Sequence, residues 1–391
     1  MIDSARPAAP SPPRLLIVGA SARAAAFSAI RAGFAPVACD QFADDDLRAI
    51  AEVRLAPPDA AAILDATAEW SDLPTMYTGG VENQPDLIAG LQARGQLIGN
   101  PVDVVRAVRD PQRVAAAFAE SRLPYLEIRT AENPPPADGD WMLKPLYSAG
   151  GQGIVRWTDS ASTAATLAQP HYFQKRVEGR TCSAVFIARE GVGDVRFVGV
   201  TEQLVGEEAC AAGEFRWCGN IGPVTLSVGV ESMIRRMGNF LKWKFGLQGL
   251  FGLDFLVTPD DKVAITEVNP RYPASLELLE FATRLPLLLE HYACFRAVPE
   301  DHSIPRCVAS PEPVLGKAVV FSRDSVRVRF DFDFATDAPL NWPRFADVPP
   351  SGAKLRMGEP VCTVFASGQS SGQCRERVLE NAARMLGGPR E

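Results

Sequence analysis

The chain has 391 residues, enough for roughly two to four domains and a sizeable buried core. Hydrophobic residues make up 47% and charged residues 22%, ordinary values for a soluble globular protein. Lysine plus arginine total 40 against 47 acids, a net charge of −7 that argues against a general nucleic-acid or anionic-membrane binder.

The three histidines, His171, His291 and His302, are scattered, which argues against a histidine-rich metal site. They do not exclude a Ser-His-Asp or Cys-His mechanism, but candidate bases are few, and the chemistry expected of an enzyme here runs on carboxylates, lysine, arginine and backbone amides. The eight cysteines form no C-x-x-C pair, so a zinc ribbon or redox motif is not expected. They read as reduced core residues of a cytoplasmic protein. No apolar run approaches the roughly 18 residues that span a bilayer, and the run from Leu15 to Ala20 is too short for a signal peptide.

In chain order, residues 1–13 are rich in Pro and Ala and read as a flexible tail. Leu15-Leu16-Ile17-Val18 reads as a buried parallel strand, residues 22–32 as a helix ended by Gly33, and Pro36-Val37-Ala38-Cys39-Asp40 as the next strand. This is β-α-β, the start of a doubly wound sheet. Met76–Gly80 and Leu97–Asn100 look like later strand ends. Gly19-Ala20-Ser21-Ala22-Arg23-Ala24 holds one glycine of the three in a dinucleotide fingerprint, so it reads as a Rossmann-like turn without NAD.

Asp110-Pro111-Gln112 opens a helix to about Glu120, with Asp as cap and Pro at the first helical position. Asn133-Pro134-Pro135-Pro136 is a loop. Past Pro299 come strand candidates at 317–322, 326–334 and 361–366, and a closing helix over 373–386.

Three segments carry chemistry. Trp141-Met142-Leu143-Lys144-Pro145 delivers a lysine from a strand into a glycine loop containing Gly150, Gly151 and Gly153. Glycines let backbone N–H groups approach phosphate oxygens, and lysine adds a point charge. The Walker order is absent, and a glycine-rich hairpin with an exposed lysine is the plainer alternative. Tyr172-Phe173-Gln174-Lys175-Arg176-Val177-Glu178-Gly179 could be a hinge whose backbone meets an adenine edge. Residues 249–271 read as a hairpin turning at Pro259-Asp260-Asp261. Glu267 and Asn269, two apart, share one strand face, and Asp254 can face them across the hairpin. This hard-oxygen cluster suits Mg²⁺ or Mn²⁺, with a salt-bridged hairpin as the alternative. Arg271 then stands beside the metal, placed for an anionic substrate or a transferring phosphoryl group.

Lys144 with its glycine loop, the 174–179 hinge and Asp254…Glu267-x-Asn269-Pro270-Arg271 occur in this order in the ATP-grasp superfamily, and the chain resembles it over about residues 14–300. The resemblance implies a mixed α/β and α+β fold. A Rossmann-like pre-ATP-grasp domain would span 14–108, a small lid subdomain 109–170, a large α+β ATP-binding subdomain 171–300, and a C-terminal β-rich extension 301–391. It implies ATP and Mg²⁺ as cofactors. Lys144, Gly150, Gly151 and Gly153 would hold phosphates, and Gln174, Lys175 and Val177 the adenine. Asp254, Glu267 and Asn269 would ligate the metal. Lys144 and Arg271 would act in the acylphosphate-forming step.

Two positions depart from the family pattern. Pro111-Gln112-Arg113 stands where many members carry a helix lysine, leaving Arg113 as substitute. Thr181 stands near the usual ribose-binding glutamate, leaving Glu178 as a nearby candidate. The stretch 199–223 resembles the substrate-facing region of ligases of the tyramine–glutamate ligase type, where Gln203, Arg216 and Asn220, together with Arg271, could hold a carboxylate.

The activity implied is ATP-dependent joining of a small-molecule carboxylate to an amine, in a homodimer-permitting family and without nucleic acid or membrane. Two alternatives stand beside it. One is a biotin-carboxylase or carboxyaminoimidazole type of enzyme that activates bicarbonate, suggested by a weak resemblance around Gly316-Lys317-Ala318 and Gly358-Glu359-Pro360. The other is a nucleotide-binding scaffold, which the complete Asp254/Glu267/Asn269/Arg271 set argues against.

Overall fold

The computed structural model describes residues 11–159, 167–300, 302–306, 312–328 and 338–387. Most of the expected tail, Cys307 and the candidate strand past residue 328 lie outside these.

The first unit holds strands β1 (Arg14–Gly19), β2 (Ala35–Asp40), β3 (Glu52–Leu55) and β4 (Thr75–Tyr77), in the order β3-β2-β1-β4. The pairings are parallel, with Leu16 beside Val37 on one side and Thr75 on the other. Helices α1 (Arg23–Arg31), α2 (Asp45–Arg48), α3 (Ala60–Ala66), α4 (Pro85–Ala93) and α5 (Val102–Arg109) surround it. Both sheet faces are covered, which is why β1 reads as unbroken apolar sequence. Leu15 and Ile17 pack on the alanines of α1, while Leu16 and Val18 pack with Trp70, Leu87 and Val105. Leu97 contributes one isolated bridge to Thr75 rather than a strand.

Asp110 follows α5 and caps α6 (Pro111–Glu120), its carboxylate accepting from the Gln112 and Arg113 amides. Strands β5 (Ile128–Thr130), β6 (Asp138–Pro145), β7 (Val155–Thr158) and β8 (His171–Lys175) form a small antiparallel sheet, ordered β5-β8-β6-β7. Its own core is Trp141, Leu143, Trp157 and Phe173. Since β8 pairs with β6, this unit runs to Lys175, a correction to the boundary expected at 170.

The remaining strands are β9 (Arg180–Ala188), β10 (Arg196–Val205), β11 (Trp217–Gly222), β12 (Gly249–Val257), β13 (Val263–Asn269), β14 (Val314–Phe321), β15 (Val326–Arg327), β16 (Phe345–Ala346), β17 (Lys354–Leu355) and β18 (Pro360–Gly368). Eight of them make one sheet, ordered β13-β12-β9-β10-β11-β14-β18-β16, and β15 pairs with β17. The C-terminal strands β14, β18 and β16 therefore extend the large sheet. Helix α7 (Val228–Phe245) packs on this sheet through Ile234, Met237 and Leu241, in one core with Phe186 and Phe251. Ser227 caps it, accepting from the Val230 amide. Helices α8 (Leu276–Thr283) and α9 (Leu287–Tyr292) join the core of the first unit, and α10 (Ser371–Gly387) closes the chain. Among the described residues no helix is long and apolar enough to cross a membrane.

Candidate active site

A cleft of about 1080 Å³ opens between the first unit, the small sheet and the large sheet. Lys144, near the end of β6, points into it and donates to the Gln174 Oε1 at 3.0 Å and the Thr266 carbonyl at 3.2 Å. Burial lowers the Lys144 pKa, although the Glu267 charge opposes the shift. Gln174 is buried in the cleft lining, and its Nε2 has no partner among the described residues. Gly150 and Gly151 line the same space with left-handed backbone. A Cβ on Gly151 would stand 2.0 Å from the Phe215 carbonyl oxygen, so only glycine permits this approach. The Trp217 amide donates to the Gly150 carbonyl at 3.0 Å, docking the glycine loop on the first residue of β11.

The hairpin of β12 and β13 sets Asp254 directly opposite Glu267, with Gly252 opposite Asn269 and a bulge after Asp254. Asn269 Nδ2 donates to Asp254 Oδ2 at 2.9 Å. Burial, and then the facing Glu267 charge, push the Asp254 carboxyl up to about 6. Glu267 behaves oppositely. Burial opposes its ionisation, but Arg109 and Lys144 outweigh it and hold its pKa below the usual range.

Arg109, the last residue of α5, is ion-paired with Glu267 and also donates to Asn83 Oδ1 at 3.2 Å and the Ser148 carbonyl at 3.3 Å. Its Nε is buried without a partner among the described residues. Arg271 donates from Nε and Nη2 to Glu82 Oε1 at 3.0 and 2.8 Å, and from Nη2 to Asn269 Oδ1 at 3.1 Å. Glu82 Oε2 is buried and unpartnered among the described residues.

Lys175, Val177, Glu178, Gln203, Arg216 and Asn220 also line the cleft. Lys175 pairs with Asp140 at 3.0 Å, and Glu178 with Arg176 at 3.0 Å near the surface. Arg216 lies over the Phe321 ring and donates to the Gly358 carbonyl at 2.7 Å. Asn220 is held inside the sheet, donating to Thr201 Oγ1 at 2.9 Å and accepting from Trp217 Nε1 at 3.1 Å. Its amide is satisfied by protein and orients Trp217. Thr181, at the departed ribose position, donates to the Gln203 carbonyl at 3.0 Å.

Two of the residues singled out in the sequence do not face the cleft. Arg113 is exposed on α6, because capping by Asp110 fixes the first turn and directs Val114 inward. Gly153 lies outside the lining, near the Pro145 ring. The cation beside the acids is Arg109, four residues before Arg113. Arg109 and Glu82 escaped the sequence reading. Their only local signals are an arginine directly before a helix cap and an acid two residues past Gly79-Gly80.

An ATP-grasp domain family matches residues 112–275. No curated protein matches the sequence. Among solved structures, the L-amino acid ligase from Bacillus licheniformis is 14% identical with a TM-score of 0.67, covering 95% of this chain and 97% of its own. The biotin carboxylase–ATP-analogue complex from Campylobacter jejuni is 14% identical, TM-score 0.63, with 96% and 95% covered. The N5-carboxyaminoimidazole synthetase from Staphylococcus aureus, complexed with ADP, is 11% identical, TM-score 0.65, with 95% and 97% covered. Residues 112–275 therefore match an ATP-grasp domain, and the chain as a whole has the fold of these solved structures.

Proposed function

We propose that the protein is an ATP-dependent ligase that joins a small-molecule carboxylate to an amine. The observation that carries this reading is the convergence, in one cleft, of Lys144, the Gly150–Gly151 backbone, the facing Asp254 and Glu267, and Arg271. Such a set is built for phosphoryl transfer, where positioning and charge neutralisation supply most of the rate.

In this reading ATP lies between the two sheets, its adenine beside Gln174, Lys175 and Val177 and its phosphates under the glycine loop. The unpartnered Gln174 Nε2 supports a polar ligand there. Asp254, Glu267 and Asn269 fit a small divalent cation such as Mg²⁺, being two carboxylates and an amide oxygen brought together by one hairpin. Burial and then the facing Glu267 charge raise the Asp254 pKa, and a cation there would offset both. When bound, the metal neutralises developing charge on the phosphates. A carboxylate oxygen of the substrate attacks the γ-phosphorus, giving an acylphosphate and ADP. The amine nitrogen then attacks the acyl carbon and displaces phosphate. Lys144 and Arg271 stabilise charge on the transferred group, and Glu82 holds the Arg271 guanidinium in place. Glu267 is held ionised by Arg109, and Arg109 fixes the glycine loop at Ser148.

The test is ADP release with Mg²⁺ across a panel of carboxylates, amines and bicarbonate. Release that requires both a carboxylate and an amine is expected. Release with bicarbonate alone would replace this reading with a carboxylase, and nucleotide binding without release under any condition would replace it with a scaffold. Glu267→Gln should abolish release while preserving the fold.

A further inference from the structure

At the end of the cleft formed by the first unit and the C-terminal strands, acids outnumber the cations available to them. Arg23 is committed to Asp46 at 2.8 Å and to Glu277, and Lys317 to Glu277 at 3.1 Å. Asp40 is satisfied by the amides of Ala22, Phe42 and Ala43. This leaves Asp44 and Asp347, both lining the cleft, without a cation of their own. Asp347 accepts from Ser21 Oγ at 3.4 Å and from the Thr363 hydroxyl, both neutral donors.

Asp44 is the sharper case. It is 5% exposed, and its carboxylate accepts no hydrogen bond from any described residue. It does not cap the short helix α2 that follows it. A carboxylate walled in by protein but open to a cleft, without a cation of its own, suits a ligand that supplies the missing charge. The charged groups facing it are Asp40 and Asp46 on its own side, Asp347 before β18, and Arg23 on α1. Burial, then the Asp347 charge, push Asp44 well above the ordinary carboxylate range.

We propose that Asp44 and Asp347 form a subsite for the protonated amino group of a substrate, so that one of the two joined molecules is an amino acid or an amine carrying a second, cationic nitrogen. The Ser21 and Thr363 hydroxyls hold Asp347 in place at this subsite. The inference rests on the ligase reading for the role of the ligand, but not for its binding.

The experiment is titration calorimetry of the full chain with the common L-amino acids, cadaverine and ethylamine, each amino acid paired with its desamino acid. At least one ammonium compound should bind, and its desamino counterpart should not. Asp44→Asn and Asp347→Asn should each weaken that binding about tenfold or more, the effect of losing a charge-assisted hydrogen bond, with nucleotide affinity unchanged. Asp44→Asn should not lower the melting temperature, since the Asp44 side chain does not cap α2. The proposal is overturned if no ammonium compound binds, if the desamino compounds bind equally, or if both variants bind as the parent does. It is also overturned if Asp44→Asn loses nucleotide binding and melts earlier, which would make Asp44 structural. Asp44-dependent ammonium binding without any ATP turnover would sink the ligase reading and leave the subsite standing. Turnover with bicarbonate and no ammonium binding would sink the subsite.

Discussion

At the level of single side chains, Arg109 joins three parts of the molecule: Glu267 of the large sheet, Ser148 of the glycine loop and Asn83 of the first unit. Arg109→Gln should leave Glu267 buried beside Asp254 without its cation. A loss of turnover on the order of a hundredfold is expected, comparable to removing one preorganised charge from a site of this kind. Arg113→Ala should stay near the parent, and ADP-release rates of the two variants decide between them. Histidine offers a second test. The buried His291 accepts the Leu250 amide at Nδ1 at 2.9 Å, which leaves Nε2 to donate to the Ile98 carbonyl at 3.2 Å. Burial brings its pKa down to about 4. The unfolded chain then binds more protons than the folded one between about pH 6.5 and 4, so stability falls as pH drops through that window, by about 3 kcal/mol in total. Denaturant midpoints of the parent and His291→Gln across that range should converge toward acid pH. Parallel curves would contradict the assignment.

At the scale of elements, the parts legible in the sequence are those specified by neighbours along the chain. The β-α-β start follows from apolar runs broken by glycine, α6 from the Asp110-Pro111 cap, and the β12–β13 hairpin from its Pro259-Asp260-Asp261 turn. The alternation that puts Glu267 and Asn269 on one face is a property of any strand, so the register with Asp254 was within reach. What stayed hidden depends on distant pairing. That β8 belongs with β6, and that β14 and β18 extend the large sheet, are set by packing between segments far apart in sequence. Arg109 and Glu82 are likewise functional only through contacts across units. Close packing between elements gives its own prediction. A Cβ on Gly238 of α7 would stand 2.6 Å from the Phe186 ring of β9. Gly238→Val should destabilise by about 1–3 kcal/mol through overpacking, read as a lower denaturant midpoint with an unchanged slope.

At the scale of the whole molecule, the first unit is fastened to the rest by buried ion pairs. Arg31 of α1 pairs with Glu280 of α8 at 2.6 Å, both side chains almost wholly buried, and Arg23 of the same helix meets Glu277, which Lys317 of β14 also holds. Glu280→Gln removes one partner and leaves a guanidinium in a dry interior. A loss of about 3–5 kcal/mol is expected, seen as an earlier melting transition. These fastenings hold the Asp44–Asp347 end of the cleft to the large sheet that carries Glu267. A substrate bound between them would present its carboxylate to the nucleotide end. The central claim is that ATP activates a carboxylate as an acylphosphate. It is tested most directly with the carboxylate that best stimulates ADP release, labelled with ¹⁸O in its carboxyl group. The account predicts that one labelled oxygen leaves in the inorganic phosphate as the amide forms. Unlabelled phosphate accompanying amide formation would contradict it.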